Sequence, residues 1–566
     1  MLDPGDTRDR PPGPTMWGTE VARGSGHPGF IQFTPRPGAT TDLLEGTTRW
    51  GDRDHLVQGG HRVSFRSLRT AALAASARLA AAGLRRGGRM LLLARNSPDW
   101  VVAFWASQYL GAVVCPGNRW WSAEELSHAV DLVAPSVIVA DEESAGRAGP
   151  TGGTAVIDIA ELGVSGLAVR EPGCEPGLGE PGAAPPSSGS AAAEVPMEAA
   201  ASSREASEDD PALIIFTAGT TGRAKASVLS HRAVIANLHN LLTVSGRLPH
   251  LIPPEGSPEV ILQSGPMFHI GGVQSILLAL VSGNTVVFLG GRFDSGAVLD
   301  AMESEGVTVW GAVPTMVERL LEDPTFGRRD LSRVRSVSLG GAPVTPELTR
   351  RLRSAFPSLD RGVSTVYGMT EAGGTVASAS GSVMKAHPGT SGRPLPTVEV
   401  KVDAPDAEDR GEILVRTPSQ MSGYWDDELN PIIDSEGWLH TGDIGTLDDG
   451  MLYITGRAKD VIIRGGENIA AAHVEEVLGR HPAVVAVAVI GLDGGDLGEI
   501  VGAVVQCREQ VSTEELGAFA LGVLGRFEVP QRWWLVDEAL PLTDAGKMDK
   551  LRLKQDWLRH LGESTR

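Results

Sequence analysis

The chain has 566 residues, 42% of them hydrophobic and 21% charged, the composition of a globular protein long enough for several cores. Its 70 acidic against 50 basic residues give a net charge of −20, which argues against a general nucleic-acid surface, because neutralising phosphates needs clustered Lys and Arg. Cys115, Cys174 and Cys507 lie far apart and argue against a disulfide scaffold or zinc site, so a reducing cytoplasm is the expected compartment.

Residues 1–40 lack the apolar segment of a signal peptide and read as a disordered tail, with order expected from about Phe30–Leu43. Over Ser64–Leu84, the residues Leu68, Ala72, Ala75, Leu79 and Ala82 recur at three- and four-residue steps, which predicts a helix stopped by Gly87-Gly88. Met90–Ala94 follows as a short apolar strand, Pro98–Asn118 as helix, glycine break and strand, and Pro135–Glu142 as another buried strand. Short apolar strands alternating with helices predict an α/β layer architecture with a largely parallel sheet.

From about residue 149 to 210 the composition turns to Pro, Gly, Ala, Ser and Glu, and a flexible insertion is expected, with one strand near Thr154–Ile159. Order resumes at Ala212–Thr217. Beyond Val461 a small α+β unit is expected: a helix at His473–Leu478, strands around Ala483–Gly491 and Ile500–Cys507, and a helix after Ser512. The expected division is a large domain over residues 41–459 and a small one over 460–566. The longer apolar runs, such as Ala483–Ile490, fall short of the ~18 residues of a membrane span.

Two Gly-x-Gly-x-x-Gly stretches, Gly24–Gly29 and Gly177–Gly182, lack the strand before and helix after that a dinucleotide site requires, and Gly546-Lys547 lacks the flanking residues of a P-loop. "FTAGTTGRAKAS" (Phe216–Ser227) has better context. It follows the β-branched run "LIIFT" and precedes a helix expected from His231, at the C-terminal end of a strand where open α/β sheets bind ligands. Gly219 and Gly222 permit close backbone approach, Thr217, Thr220 and Thr221 offer hydroxyls, and Lys225 adds charge, a set suited to polyphosphate. For this loop alone, a solvated glycine turn is the plain alternative.

Further motifs follow in order: "PMFHIGG" (Pro266–Gly272), "GGAP" (Gly340–Pro343), "YGMTE" (Tyr367–Glu371), "GWLHTGD" (Gly437–Asp443), "GRAKDVIIRGGENI" (Gly456–Ile469) and "LPLTDAGK" (Leu540–Lys547). Together with the loop they resemble the adenylate-forming superfamily of acyl-CoA synthetases, peptide-synthetase adenylation domains and luciferases, from about residue 45 to the C-terminus apart from the insertion. The resemblance implies a large N-terminal α/β domain of layered, mostly parallel sheets and helices with a small mobile C-terminal α+β domain. It also implies that Thr217–Lys225 holds the β- and γ-phosphates of ATP, with Gly341, Ala342, Pro343 and Gly368 in the nucleotide site.

By the same resemblance, Tyr367 stacks on adenine, Thr370 contacts the α-phosphate, Asp443 accepts from the ribose hydroxyls with Arg457 nearby, and Glu371 offers Mg²⁺ a hard carboxylate oxygen. Lys547 would stabilise the charge that gathers as a carboxylate attacks the α-phosphate and pyrophosphate leaves. Lys459 falls at the hinge between domains. Gly466 falls at the thiol tunnel, where a side chain would obstruct a phosphopantetheine arm. His269, Val313, Met316 and Met369 are expected along the acyl site, with His269 as a gate, because a carboxylate substrate arrives ionised and needs no base.

The implied activity is an ATP-, Mg²⁺- and CoA-dependent acid–thiol ligase making acyl-AMP and then acyl-CoA, from a fatty or aromatic acid to suit an apolar lining. The rivals are transfer of the acyl group to a carrier-protein phosphopantetheine, and a non-catalytic nucleotide- or acyl-binding regulator. Ala218, Ala224 and Ala226 depart from the Ser, Pro and Gly usual in the phosphate loop, and Ala471 and His473 from a Pro and Glu in the small domain. The charged set Lys225, Glu371, Asp443, Arg457 and Lys547 is intact, which argues for retained catalysis.

Overall fold

Met90 and Leu92 face one core while Leu91 and Leu93 face another, and the same alternation holds for Val137 and Val139 against Ile138 and Ala140. Strands buried on both faces need no polar side, which is why they read as unbroken apolar runs. The computed structural model describes residues 16–24, 29–147, 153–163, 206–218, 224–341, 344, 346–359, 362–426, 432–457, 460–464, 467–494, 499–526, 528–543 and 546–563.

Among these residues a seven-stranded sheet runs in the order Gly423–Tyr424, Ala224–Ser230, Pro211–Ala218, Val113–Pro116, Arg89–Leu93, Val137–Ala140, Ala155–Asp158. The last five strands are parallel and the first two antiparallel to their neighbours. A nine-stranded sheet is parallel from Val363–Met369 across to Asp54–Gln58, with Gly374–Ala379 and Arg393–Pro394 added antiparallel at one edge and His61–Ser64 at the other. One hydrophobic core takes residues from both sheets and from the helices Phe65–Ala81, Pro98–Tyr109, His231–Val244 and Ile270–Val281, so those helices form the layer between them.

Helix starts follow the capping rule. Ser64, Ser97, Ser122, Ser230 and Ser512 each accept from a backbone N–H one turn on, satisfying a donor that the first turn leaves orphaned. A four-stranded antiparallel sheet, Glu399–Asp403, Gly411–Arg416, Leu439–Asp448 and Met451–Arg457, completes the large unit. The small unit has a hairpin (Val461–Arg464, Glu467–Ala470), the helix Ala471–Gly479, and a three-stranded sheet (Val484–Asp493, Glu499–Cys507, Arg532–Val536). The helices Thr513–Leu521 and Lys550–Glu563 complete it.

One expectation needs correction. Of the disordered tail expected over residues 1–40, residues 16–24 and 29–40 are structured: Glu20–Arg23 and Ile31–Thr34 pair as a hairpin, and Trp17 and Phe33 pack on the ring of His239, at 4.9 and 4.1 Å between centroids. Isolated aromatics in a polar segment carry no periodic signal, yet each buries a large area. The helix expected from His231 starts there, and the phosphate loop before it joins the antiparallel strands Pro211–Ala218 and Ala224–Ser230, the second of which was not foreseen from the sequence. Ala224, where a Pro is usual, retains the N–H that a ladder strand requires.

Burial pushes His55, His231, His239 and His269 down to about 4. Below the ordinary value of 6.5 the unfolded chain takes up protons that these rings refuse, so their neutral burial stabilises fully above that pH and less as pH falls towards 4. Urea denaturation is therefore expected to show stability dropping between pH 6.5 and 5, before the carboxylates titrate, by up to about 1.4 kcal/mol per pH unit for each histidine. A flat profile across that window would contradict it.

Candidate active site

Val363–Met369 pairs in parallel with Ser336–Gly340 in the nine-stranded sheet, and its C-terminal end brings Tyr367 to the four-stranded sheet. There the Tyr367 hydroxyl donates to Asp443 Oδ2 at 2.6 Å, and the Arg457 Nε donates to Asp443 Oδ1 at 2.9 Å. Asp443 and Arg457 are direct cross-strand partners, which places the ion pair by register alone. Burial and the facing carboxylate push the Tyr367 phenol far up, so it stays a donor. The Asp443 N–H donates to Thr441 Oγ1 at 3.0 Å, which fixes the turn before it.

Met369 opens the short turn Thr370–Ala372, which ends at Gly373 with φ of +73°; a Cβ there would lie 1.9 Å from the Ser419 carbonyl oxygen. Glycine is required on both counts. The turn buries Glu371, whose Oε1 accepts from the Tyr424 hydroxyl at 2.9 Å. Lys225 Nζ sits 4.9 Å from the centroid of the same Tyr424 ring. Gln274 braces the turn from behind, donating to Asn237 Oδ1 at 2.5 Å and to the Gly373 carbonyl at 3.0 Å. Neither Tyr424 nor Gln274 emerges from sequence reasoning; the aromatic pair in "SGYW" was the available signal for Tyr424.

The loop bearing Lys547 is docked on the large unit. Gly341 (φ +79°) is flanked by Val313 and Lys547: a Cβ on it would meet Val313 Cγ1 at 3.5 Å and Lys547 Cε at 3.8 Å. Thr315 Oγ1 donates to the Gly546 carbonyl at 3.3 Å. Within the loop, the Thr543 N–H donates to the Lys547 carbonyl at 2.7 Å and the Gly546 N–H to the Thr543 carbonyl at 2.8 Å, so Lys547 leaves a tight turn. Thr315 is a latch for this arrangement. Thr315→Val should slow acyl-AMP formation several-fold, as loss of one hydrogen bond of about 1 kcal/mol implies. Thioester formation from supplied acyl-AMP should keep its rate, and equal slowing of both half-reactions in stopped-flow assays would refute the latch.

His269 stands at the N-terminus of Ile270–Val281, and its Nε2 is buried without a hydrogen-bond partner among the described residues. Burial, then the Lys547 charge, hold it near 4, so the ring is neutral beside the lysine loop. Of the other expected acyl residues, Val313 joins Gly341 and Gly546, whereas Met316 and Met369 are half-buried against two separate cores. Thr217 pairs with Lys225 across the hairpin, Thr370 lies on the turn with Glu371, and Gly368 lies in the strand that leads into it. Gly219, Thr220, Thr221, Gly222, Ala342, Pro343, Lys459 and Gly466 fall outside the described residues. No group of three or more His, Cys, Asp or Glu forms a metal cluster, and no helix is long and apolar enough to cross a membrane, among the described residues.

Two family profiles match the chain: AMP-binding enzyme over residues 44–425 and AMP-binding enzyme C-terminal domain over residues 473–547. Among curated proteins, a feruloyl-CoA synthase of Amycolatopsis sp is 33% identical over 504 residues, covering 87% of this chain and 93% of that one. A 4-coumarate–CoA ligase of Oryza sativa subsp. japonica is 33% identical over 487 residues, covering 81% of each. Among solved structures, the o-succinylbenzoate CoA synthetase of Bacillus subtilis in complex with its acyl-adenylate intermediate superposes with a TM-score of 0.74 at 26% identity, covering 90% of this chain and 97% of that one. With a phenol, a carboxylate and a guanidinium gathered in one cluster and a lysine loop docked on the large unit, the chain belongs to the AMP-binding enzyme family, as an AMP-forming acid–CoA ligase.

Proposed function

We propose that this enzyme activates an aromatic carboxylic acid with ATP and passes the acyl group to CoA, with a fatty acid as the second substrate class. The observation that carries the reading is the Lys547 loop seated against Gly341 and Val313, beside a neutral His269 and at the C-terminal end of Ser336–Gly340, whose parallel neighbour Val363–Met369 carries Tyr367 of the Tyr367–Asp443–Arg457 cluster. The names of the feruloyl and coumarate ligases, together with the apolar Val313 beside Gly341, support an aromatic acid.

In the first half-reaction Lys547 offers its ammonium where the attacking carboxylate and the α-phosphate carry negative charge together, a cation already held in place. His269, being neutral, adds neither charge nor a proton there and shapes the entry to the acyl site. Tyr367 supplies a face for adenine, Asp443 accepts from the ribose hydroxyls, and Thr370 donates to the α-phosphate. Lys225 and Thr217, with Thr220 and Thr221, receive the leaving pyrophosphate. Glu371 fits a magnesium ion: it is a buried carboxylate with Oε1 anchored, and Oε2 has no hydrogen-bond partner among the described residues. Bound there, Mg²⁺ would offset phosphate charge. Lys459 serves as the hinge that withdraws the Lys547 loop, and Gly466 keeps the thiol tunnel clear for CoA. The thiols of Cys115 and Cys507 are free, which supports a reducing cytoplasm.

Mass spectrometry of the products from ATP, Mg²⁺ and a panel of aromatic and fatty acids, with and without CoA, tests the reading. An aryl-CoA product is expected. Acyl-AMP that persists in the presence of CoA would instead point to a carrier protein as acceptor, and pyrophosphate released with no acid consumed would overturn the proposal.

A further inference from the structure

Residues 421–425 bond to two elements at once. On one side the Met421 N–H donates to the Glu371 carbonyl at 2.8 Å and the Tyr424 hydroxyl donates to Glu371 Oε1 at 2.9 Å. On the other side the same segment adds a strand to the phosphate-loop hairpin, with Ser227 opposite Tyr424 and Val228 opposite Gly423. Backbone bonds from Ser422 to Val228 at 2.9 Å and from Trp425 to Ala226 at 2.8 Å lock that register. The Lys225 ammonium then lies over the ring whose hydroxyl holds Glu371. One side chain therefore touches both the carboxylate and the cation, and it does so with different parts: the hydroxyl for one, the π-face for the other.

We infer that Tyr424 is a positioning residue that sets Glu371 and Lys225 in register for Mg·ATP. Its phenol fixes one carboxylate oxygen and leaves the other to meet the metal, and its ring holds the ammonium at the mouth of the phosphate loop. The inference rests on the reading of Glu371 as the carboxylate that meets Mg²⁺. A carboxylate freed from such a partner rotates among conformers, and outer partners of metal ligands are typically worth 10- to 100-fold in metal affinity.

The test uses the full chain with Mn²⁺ as the paramagnetic probe and a non-hydrolysable ATP analogue. Mn²⁺ binding is read by electron paramagnetic resonance, and analogue binding without metal by calorimetry. Tyr424→Phe keeps the ring and its packing, so its melting midpoint should stay close to that of the parent. Its Mn²⁺ dissociation constant should rise roughly 10-fold while metal-free analogue binding is unchanged. Tyr424→Leu should show the same metal defect and, in addition, weaken metal-free analogue binding roughly threefold, through loss of the cation–π contact. Glu371→Gln separates the two layers of the argument. If it weakens Mn²⁺ binding but Tyr424→Phe does not, only the role of Tyr424 is overturned. If Glu371→Gln itself leaves Mn²⁺ binding as in the parent, the reading of Glu371 fails and this inference falls with it.

Discussion

Lys547→Ala is expected to lower the rate of acyl-AMP formation roughly 10²- to 10³-fold, the scale of removing one preorganised charge from a developing-charge site. The same variant should convert supplied acyl-AMP and CoA to thioester at close to the parent rate. The split follows from geometry. Lys547 leaves a turn closed by Thr543, and that turn is pinned to the large unit by Thr315 and crowded against Gly341 and Val313, an arrangement for the first half-reaction. On the proposed hinge motion at Lys459, thioester formation takes place once this loop has been withdrawn. Stability should hardly change, because Lys547 is exposed. Rapid-quench measurement of each half-reaction decides it: a variant that adenylates at the parent rate removes Lys547 from the mechanism.

Asp443→Ala should be the most damaging change on the nucleotide side. It deletes the acceptor of the Tyr367 hydroxyl and leaves a mostly buried phenol unpaired, a loss of about 1.5–3 kcal/mol for a hydrogen bond to a charged group. The Arg457 half of the cluster adds little, since that guanidinium is 44% exposed and water screens the pair to below about 1 kcal/mol. Loss of the proposed ribose acceptor comes on top, so ATP affinity should fall on the order of 100-fold, read by calorimetry, and the urea midpoint should fall with it. Asp443→Asn keeps an acceptor oxygen for Tyr367 and should fold nearly as well while binding ATP weakly. A double-mutant cycle with Tyr367→Phe should show coupling; strict additivity would mean that the 2.6 Å contact carries no energy.

The motif series was legible because each motif answers a local demand. Gly341, with positive φ, and Gly373, with a carbonyl 1.9 Å from where a Cβ would stand, can only be glycine, and the serines before helices are where capping puts them. Apolar runs such as Met90–Leu93 predict strands because a strand buried on both faces admits no polar residue. The ordered N-terminal hairpin was not legible. Trp17 and Phe33 find their partner, His239, more than two hundred residues away, and no window of sequence contains that contact. The strand Ala224–Ser230 was missed for a related reason: its pairing with Pro211–Ala218 and Gly423–Tyr424 is set by neighbours on both sides, not by its own alternation.

The sequence by itself determined the layered α/β architecture, the order of the chemical motifs and the charged residues Lys225, Glu371, Asp443, Arg457 and Lys547, because backbone sterics, burial period and charge are properties of short stretches. Only the tertiary structure decided how those charges are held. Tyr424 bridging Glu371 and Lys225 and Thr315 pinning the Lys547 turn are contacts between segments distant in the chain, while Arg457 meets Asp443 by register across one hairpin. Such contacts form where separate cores bring strand ends together, and their energy depends on burial that no single segment possesses before the chain has folded.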